Sequence, residues 1–154
     1  GTAQVKVACD NTTSNLQVLR GNVLSKIAEN NTCTDGFYTI SGLELDGKPI
    51  GHSNTNPTTY GETAKMHLHL WENPNRQKGL GTAFMKMTLP FYFNYLKLKT
   101  LICEPYALNP APNKTMQRVG FEFVKEHFTI PGNMNFEQPV NRWKMTREQF
   151  DKLF

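Results

Sequence analysis

His67 and His69 stand two residues apart in a run that alternates apolar and polar side chains. On a β-strand both imidazoles would share one face. Imidazole titrates near neutral pH, which suits taking a proton from a nucleophile. Glu62 and Glu104 bring carboxylates, and Tyr106 a phenol, to the ends of β-like runs. His-x-His is also a metal-ligand spacing, and His52 or His127 could supply a third imidazole. Nothing else in the sequence supports a metal, and none is expected. The ordinary alternative for a strand histidine is a hydrogen-bonded structural role.

The second chemical feature is the turn that follows that run. Arg76-Gln77-Lys78-Gly79-Leu80-Gly81 lies between the strand pattern and a helical one. A P-loop string is absent. A dinucleotide fingerprint fails where Phe84 replaces its third glycine. What fits is R/Q-x-x-G-x-G/A opening a helix. The first turn of a helix carries unpaired amides and a partial positive charge. Glycines let an anion such as a pyrophosphate reach those amides, and Arg76 and Lys78 add attraction. The plain alternative is a helix entered through a flexible turn.

These residues need a scaffold. Gln4 to Ala8 reads as a short strand, and Asn15 to Glu29 as an amphipathic helix with Thr13 or Ser14 as cap. Two β-like runs flank Asp46-Gly47, a hairpin signal. Ser53 to Tyr60, rich in Asn, Thr and Pro, reads as loop. Glu62 to Trp71 is the next strand, with Met66, Leu68 and Leu70 on one face and His67, His69 and Trp71 on the other. A helix follows from Gly79 to Tyr95, with a kink or break expected at Pro90. Thr100 to Glu104 is a buried strand. A short helix capped by Asn109 runs to Val119, with Gly120 just past its end. Phe121 to Thr129 and Val140 to Met145 are the last strands. Thr146 to Gln149 has the form of a capping box for a final helix. Without repeats or linkers, residues 1–154 read as a single mixed α/β (α+β) domain with a largely antiparallel sheet.

Composition narrows the function little. The 154 residues carry a formal charge of +4, spread without a basic stripe, so nucleic-acid binding ranks low. Three widely spaced cysteines, Cys9, Cys33 and Cys103, form no CxxC pair and no disulfide framework. No spanning segment or signal peptide is seen, so no membrane partner is expected and a soluble cytoplasmic protein is the simplest reading.

The segment from Glu62 to Met145 resembles the GNAT superfamily of acyl-CoA-dependent N-acyltransferases. "HLWENPNRQKGLG" is similar to the strand and pyrophosphate loop of that family. "LICEPYALN", the interval from Asn109 to Gly120-Phe121, and the upstream "LDGKPIG" hairpin follow in the family's order. The resemblance implies a central sheet flanked by helices, with a splay between the fourth and fifth strands. It implies acetyl-CoA as co-substrate, with the pyrophosphate on amides from Gln77 through Gly79, Leu80 and Gly81 to Thr82. The pantetheine arm would pair with the backbone of Leu70 and Trp71. Asn109 would touch the arm or the transfer site, and Asn113 and Lys114 the cofactor's far side. Backbone amides near Leu70 or Trp71 would face the oxyanion. Many relatives carry an acidic tyrosine where this chain has Met116, which leaves Tyr106 as nearest substitute. His67, His69 and Glu104 remain as base candidates.

The function so implied is transfer of an acetyl group to a primary amine by direct attack on the thioester. The acceptor, small molecule or protein, is not identified by the sequence. A CoA-binding module without chemistry is the alternative. Members of the family often pair, so a homodimer is an expectation.

Overall fold

The computed structural model describes residues 3–10, 38–45, 48–70, 79–130 and 137–154. The helix expected over 15–29, the Asp46-Gly47 turn and the stretch 71–78 lie outside them. Among the described residues seven strands form one sheet: β1 (Ala3–Asp10), β2 (Tyr38–Leu45), β3 (Lys48–Thr59), β4 (Thr63–Leu70), β5 (Thr100–Cys103), β6 (Glu122–Thr129) and β7 (Gln138–Thr146). Their order across the sheet is β1-β2-β3-β4-β5-β7-β6. Every neighbouring pair is antiparallel except β4 and β5. Three described helices are α1 (Leu80–Tyr95), α2 (Pro110–Val119) and α3 (Arg147–Leu153). Among the described residues, no helix is long and apolar enough to cross a membrane.

The alternation of β4 sorts its side chains as expected. Ala64 and Met66 are buried and Leu68 packs on the same core, while Lys65, His67 and His69 take the other face. One apolar cluster joins β4, β5 and β7 to all three helices through Met66, Leu101, Met145, Leu89, Met116 and Phe150. The described helices therefore cover one face of the sheet. Ser53 is buried there too, and its hydroxyl donates to the His67 carbonyl at 2.7 Å and lies 2.7 Å from the Tyr92 hydroxyl. That pairing removes the cost of burying two hydroxyls.

Two expectations are corrected. Residues 53–60 are not a loop: β3 continues to Thr59, pairing His52 with His69 and Asn54 with His67, and a register shift between Thr55 and Thr58 absorbs the irregular part. Nor does Pro90 break α1, which runs unbroken to Tyr95. An interior proline costs about 3 kcal/mol. Beyond it Tyr92, Phe93 and Leu96 are fully buried, each worth about 1.5–3 kcal/mol, so burial outweighs the lost hydrogen bond.

The ends of the other helices follow the sequence signals. Asn109 is the extended N-cap of α2, Pro110 its first residue, and Gly120 ends it at φ +110°. Thr146 and Gln149 make the reciprocal capping box of α3, with Gln149 N–H donating to Thr146 Oγ1 at 3.1 Å. Thr146→Ala should lower stability by about 1 kcal/mol in chemical denaturation. An unchanged midpoint would mean that the cap holds nothing.

Candidate active site

The site is built where β4 and β5 part. They pair over three positions, Thr63 with Thr100, Ala64 with Leu101 and Lys65 with Ile102. β4 then runs on to Leu70, while the chain after β5 turns to β7. Asn141 N–H donates to the Pro105 carbonyl at 3.0 Å, Tyr106 bridges Val140, and Ala107 N–H donates to the Pro139 carbonyl at 2.9 Å. The expected splay is thus a change of backbone partner.

Which groups this leaves on the open edge follows from strand geometry. The Glu62 carbonyl accepts from Lys99 and Thr100 N–H at 2.8 and 3.1 Å, and the Met66 carbonyl accepts from the Cys103 thiol at 3.6 Å. Backbone groups alternate between the two edges of a strand. Leu68 and Leu70 therefore direct their N–H and C=O groups to the side that β5 has left. Burial, then Glu104, pushes the Cys103 thiol up to about 12, so it is a neutral donor and no nucleophile.

The first turn of α1 packs against this edge. Leu80 and Phe84 form a small core with Leu68, Ile50 and Met87. Gly79, the N-cap, has φ +88°, which a side chain would strain. The amides of Leu80, Gly81 and Thr82 have no partner within the helix, as at any helix start. A Cβ on Gly81 would lie 3.7 Å from Thr115 Oγ1, an ordinary contact, so the backbone there tolerates a side chain. Trp71, Arg76, Gln77 and Lys78 lie outside the described residues.

On the face away from the helices, three imidazoles form a row. His52 and His69 are cross-strand partners with ring centroids 5.0 Å apart, and His67 stacks on His69 at 6.5 Å and 7°. Burial first, and His67 second, lower the pKa of His69 below 6.5, so its neutral form prevails at neutral pH. Among the described residues, no group of His, Cys, Asp or Glu has the arrangement to hold a metal.

Glu104 follows β5 directly. Its side chain is only 4% exposed and gathers partners from three strands: Lys65 Nζ at 2.5 Å, Arg142 Nε at 2.9 Å, and the His127 ring. Burial alone would raise its pKa. The bonds from Lys65, His127 and Arg142 outweigh that and hold it at about 2. A carboxylate held so acidic is a poor base at neutral pH. Tyr106 is 41% exposed on the following loop, free of that cluster.

Asn109 is exposed, and its side chain makes no cap bond to α2. Asn113 is fully engaged: its Nδ2 donates to the Tyr106 and Asn109 carbonyls at 3.0 and 2.8 Å. Its Oδ1 accepts from Asn141 Nδ2 at 3.0 Å and Trp143 Nε1 at 2.9 Å. It ties the β5–α2 loop to β7. Lys114, next along α2, is exposed. The sequence reading missed Lys65, Arg142 and the pairing of His52, because each acts across strands that no local pattern links.

Residues 8–122 match the acetyltransferase (GNAT) domain. The chain belongs to the GNAT acetyltransferase family. No curated protein matches the sequence at a significant level. Among solved structures, the aminoglycoside acetyltransferase AAC(6')-Ib in complex with coenzyme A superposes with TM-score 0.65 at 17% identity, over 97% of this chain and 98% of its own. Campylobacter jejuni N-acetyltransferase PseH in complex with acetyl coenzyme A gives 0.61 at 14%, over 94% and 99%. Vibrio cholerae spermidine N-acetyltransferase with CoA and spermine gives 0.63 at 17%, over 73% and 68%. The chain covers 63% and 66% of two further acetyltransferase structures, one of them from Bacillus anthracis. At these identities the likeness is one of fold.

The GNAT framework here rests on Glu104, which gives a test. A pKa held at about 2, against an ordinary 4.5, contributes about 3 kcal/mol of stability at neutral pH. Because the folded value is the lower one, that contribution is complete above about 4.5 and is lost as pH falls towards 2. Glu104→Gln should remove it, so that stability measured by urea denaturation falls less steeply between pH 5 and 2 than in the parent. Parallel pH profiles would overturn the assignment.

Proposed function

We propose that this protein is an N-acetyltransferase that moves an acetyl group from acetyl-CoA to a primary amine. The observation that carries the reading is the open edge of β4 at Leu68 and Leu70, set against the glycine-led first turn of α1. A pantetheine arm carries amides that can pair with such an edge as a further strand would. The first-turn amides of α1 suit the pyrophosphate, with Arg76, Gln77 and Lys78 just before them in the chain. Coenzyme A is bound in the neighbouring aminoglycoside acetyltransferase and spermidine N-acetyltransferase structures, which supports the same co-substrate here.

With the arm in the plane of the sheet, α1 and α2 block one side of the thioester. The amine then approaches from the face that carries His52, His67 and His69. An ammonium must lose a proton before its nitrogen can attack the thioester carbon. His69, neutral at neutral pH, is the better placed acceptor of that proton, with His67 stacked behind it. A backbone N–H beside Leu70 or Trp71 can stabilise the oxyanion. The CoA thiolate leaves as the amide forms. Tyr106 is exposed on the loop after β5 and can return a proton to it. Glu104 stays anionic and holds the framework.

One observation favours a second reading, a CoA-binding module without turnover. Met116 stands where many relatives have an acidic tyrosine, and its side chain is buried in the core, 2% exposed. Turnover with an amine panel separates the two.

Three measurements test the proposal. Isothermal titration should show micromolar binding of acetyl-CoA and none of NADH; no heat with acetyl-CoA would end it. Gly81→Glu should abolish that binding while the fold survives, since the position accepts a Cβ. In kcat/KM, the acidic limb should have its midpoint below 6.5, because His69 must be unprotonated to act. His69→Gln should lower turnover at least tenfold and flatten that limb. Full activity with an unchanged profile would remove His69 from the mechanism.

A further inference from the structure

Among the described residues of four strands, the face from which the amine would approach carries an excess of positive charge. On this side of β4, β5, β7 and β6 stand Lys65, Arg142, Lys144 and Lys125, against the carboxylates Glu104 and Glu122. Glu122 lies towards the far end of β6 and is matched by Lys144 at 3.2 Å. Glu104 sits at the mouth of the gap, and there Lys65 and Arg142 outnumber it, with His127 beside them. His67 and His69 extend the row along β4, and His52 lies across from His69. Any protonation of these rings adds positive charge.

The way Arg142 is used sharpens this. It spends Nε on Glu104, and among the described residues its two terminal nitrogens make no bond, while 34% of the side chain stays exposed. Lys65 keeps 29% exposed. A guanidinium held rigidly by one nitrogen presents the rest of its fork to an incoming oxyanion, the geometry in which Arg binds carboxylates and phosphates. Glu104 cannot repel that oxyanion strongly, because its own charge is already balanced. It is also poorly placed to serve a cationic substrate, because its side chain is 4% exposed and three partners already surround it.

We propose that the acceptor is an amine that also bears a carboxylate or phosphate group, which docks on Arg142 and Lys65 while its amine lies near His67 and His69. This rests on the acetyltransferase reading and narrows its substrate class. It sets the protein apart from the polycationic acceptors of some neighbours, for spermine and kanamycin are bound in two of those structures. A polyamine would have to approach Lys65 and Arg142 where, among the described residues, both carboxylates on this side of the four strands, Glu104 and Glu122, are already in ion pairs. Like charges at such range are repulsive even in water.

The test does not require the natural acceptor. The CoA complex of the full chain, labelled with nitrogen-15, is titrated with O-phosphoethanolamine, β-alanine, ethanolamine and spermidine. The Arg142 Nε–H and histidine ring signals are followed. O-phosphoethanolamine or β-alanine should shift the Arg142 signal and bind at least tenfold more tightly than ethanolamine, and spermidine should bind more weakly than either anion. Comparing those two tells phosphate from carboxylate. Arg142→Gln should reduce the preference for the anionic ligand over ethanolamine at least fivefold, and Arg142→Lys should restore part of it. Spermidine binding as tightly as the anionic amines would overturn the proposal, as would an anion preference that survives in Arg142→Gln. Failure of the acetyltransferase reading shows separately, as an absence of acetyl-CoA binding in the calorimeter.

Discussion

Two strands that pair for three positions and then part must satisfy their backbone elsewhere. In this chain the segment after β5 takes β7 as partner through Pro105, Tyr106 and Ala107, and among the described residues β4 is left with an unpaired edge at Leu68 and Leu70. An unpaired edge inside a sheet is costly unless something fills it. Most of the molecule is arranged around that gap. Leu68 holds the start of α1 against it, and Asn113 fixes the loop on its far side to β7. Glu104 joins β4, β6 and β7 at its mouth.

The two faces of the sheet divide the labour. The helical face is apolar and closed by Leu89, Phe93 and Met145, and it makes the sheet rigid. The opposite face is polar and basic, with the imidazole row and the Lys65–Glu104–Arg142 cluster. What the Lys65–Glu104–Arg142 cluster, with the His127 ring beside it, adds to stability is the attraction left after desolvation of its buried groups. Its clearer effect is positional. It holds β4 and β7 at a set separation across the gap, and it orients the Arg142 guanidinium.

Much of this was legible in the sequence because the signals were local. The alternation of β4, the Gly79 start of α1, the Asn109 and Gly120 ends of α2 and the Thr146–Gln149 box each depend on neighbours a few residues away. The misreadings share a cause as well. Pro90 and the polar run 53–60 carry local signals for a break and a loop, and tertiary burial of Tyr92 and Phe93 and cross-strand pairing with β4 override them. The Glu104 cluster and the Asn113 ties join residues far apart in sequence, so no spacing rule could show them. Reading Glu104 as a base was natural for a carboxylate at a strand end. It takes the three partners to see why its proton affinity is so low.

The central claim is that the open edge of β4 is the seat of the acetyl-CoA arm. Hydrogen exchange at single amides tests it most directly, with and without a saturating concentration of acetyl-CoA. The account predicts strong new protection at the Leu68 and Leu70 amides and at the first turn of α1, with little change at Ala64, which β5 already pairs. Binding with no added protection at Leu68 and Leu70 would contradict it, and would place the arm elsewhere on the protein.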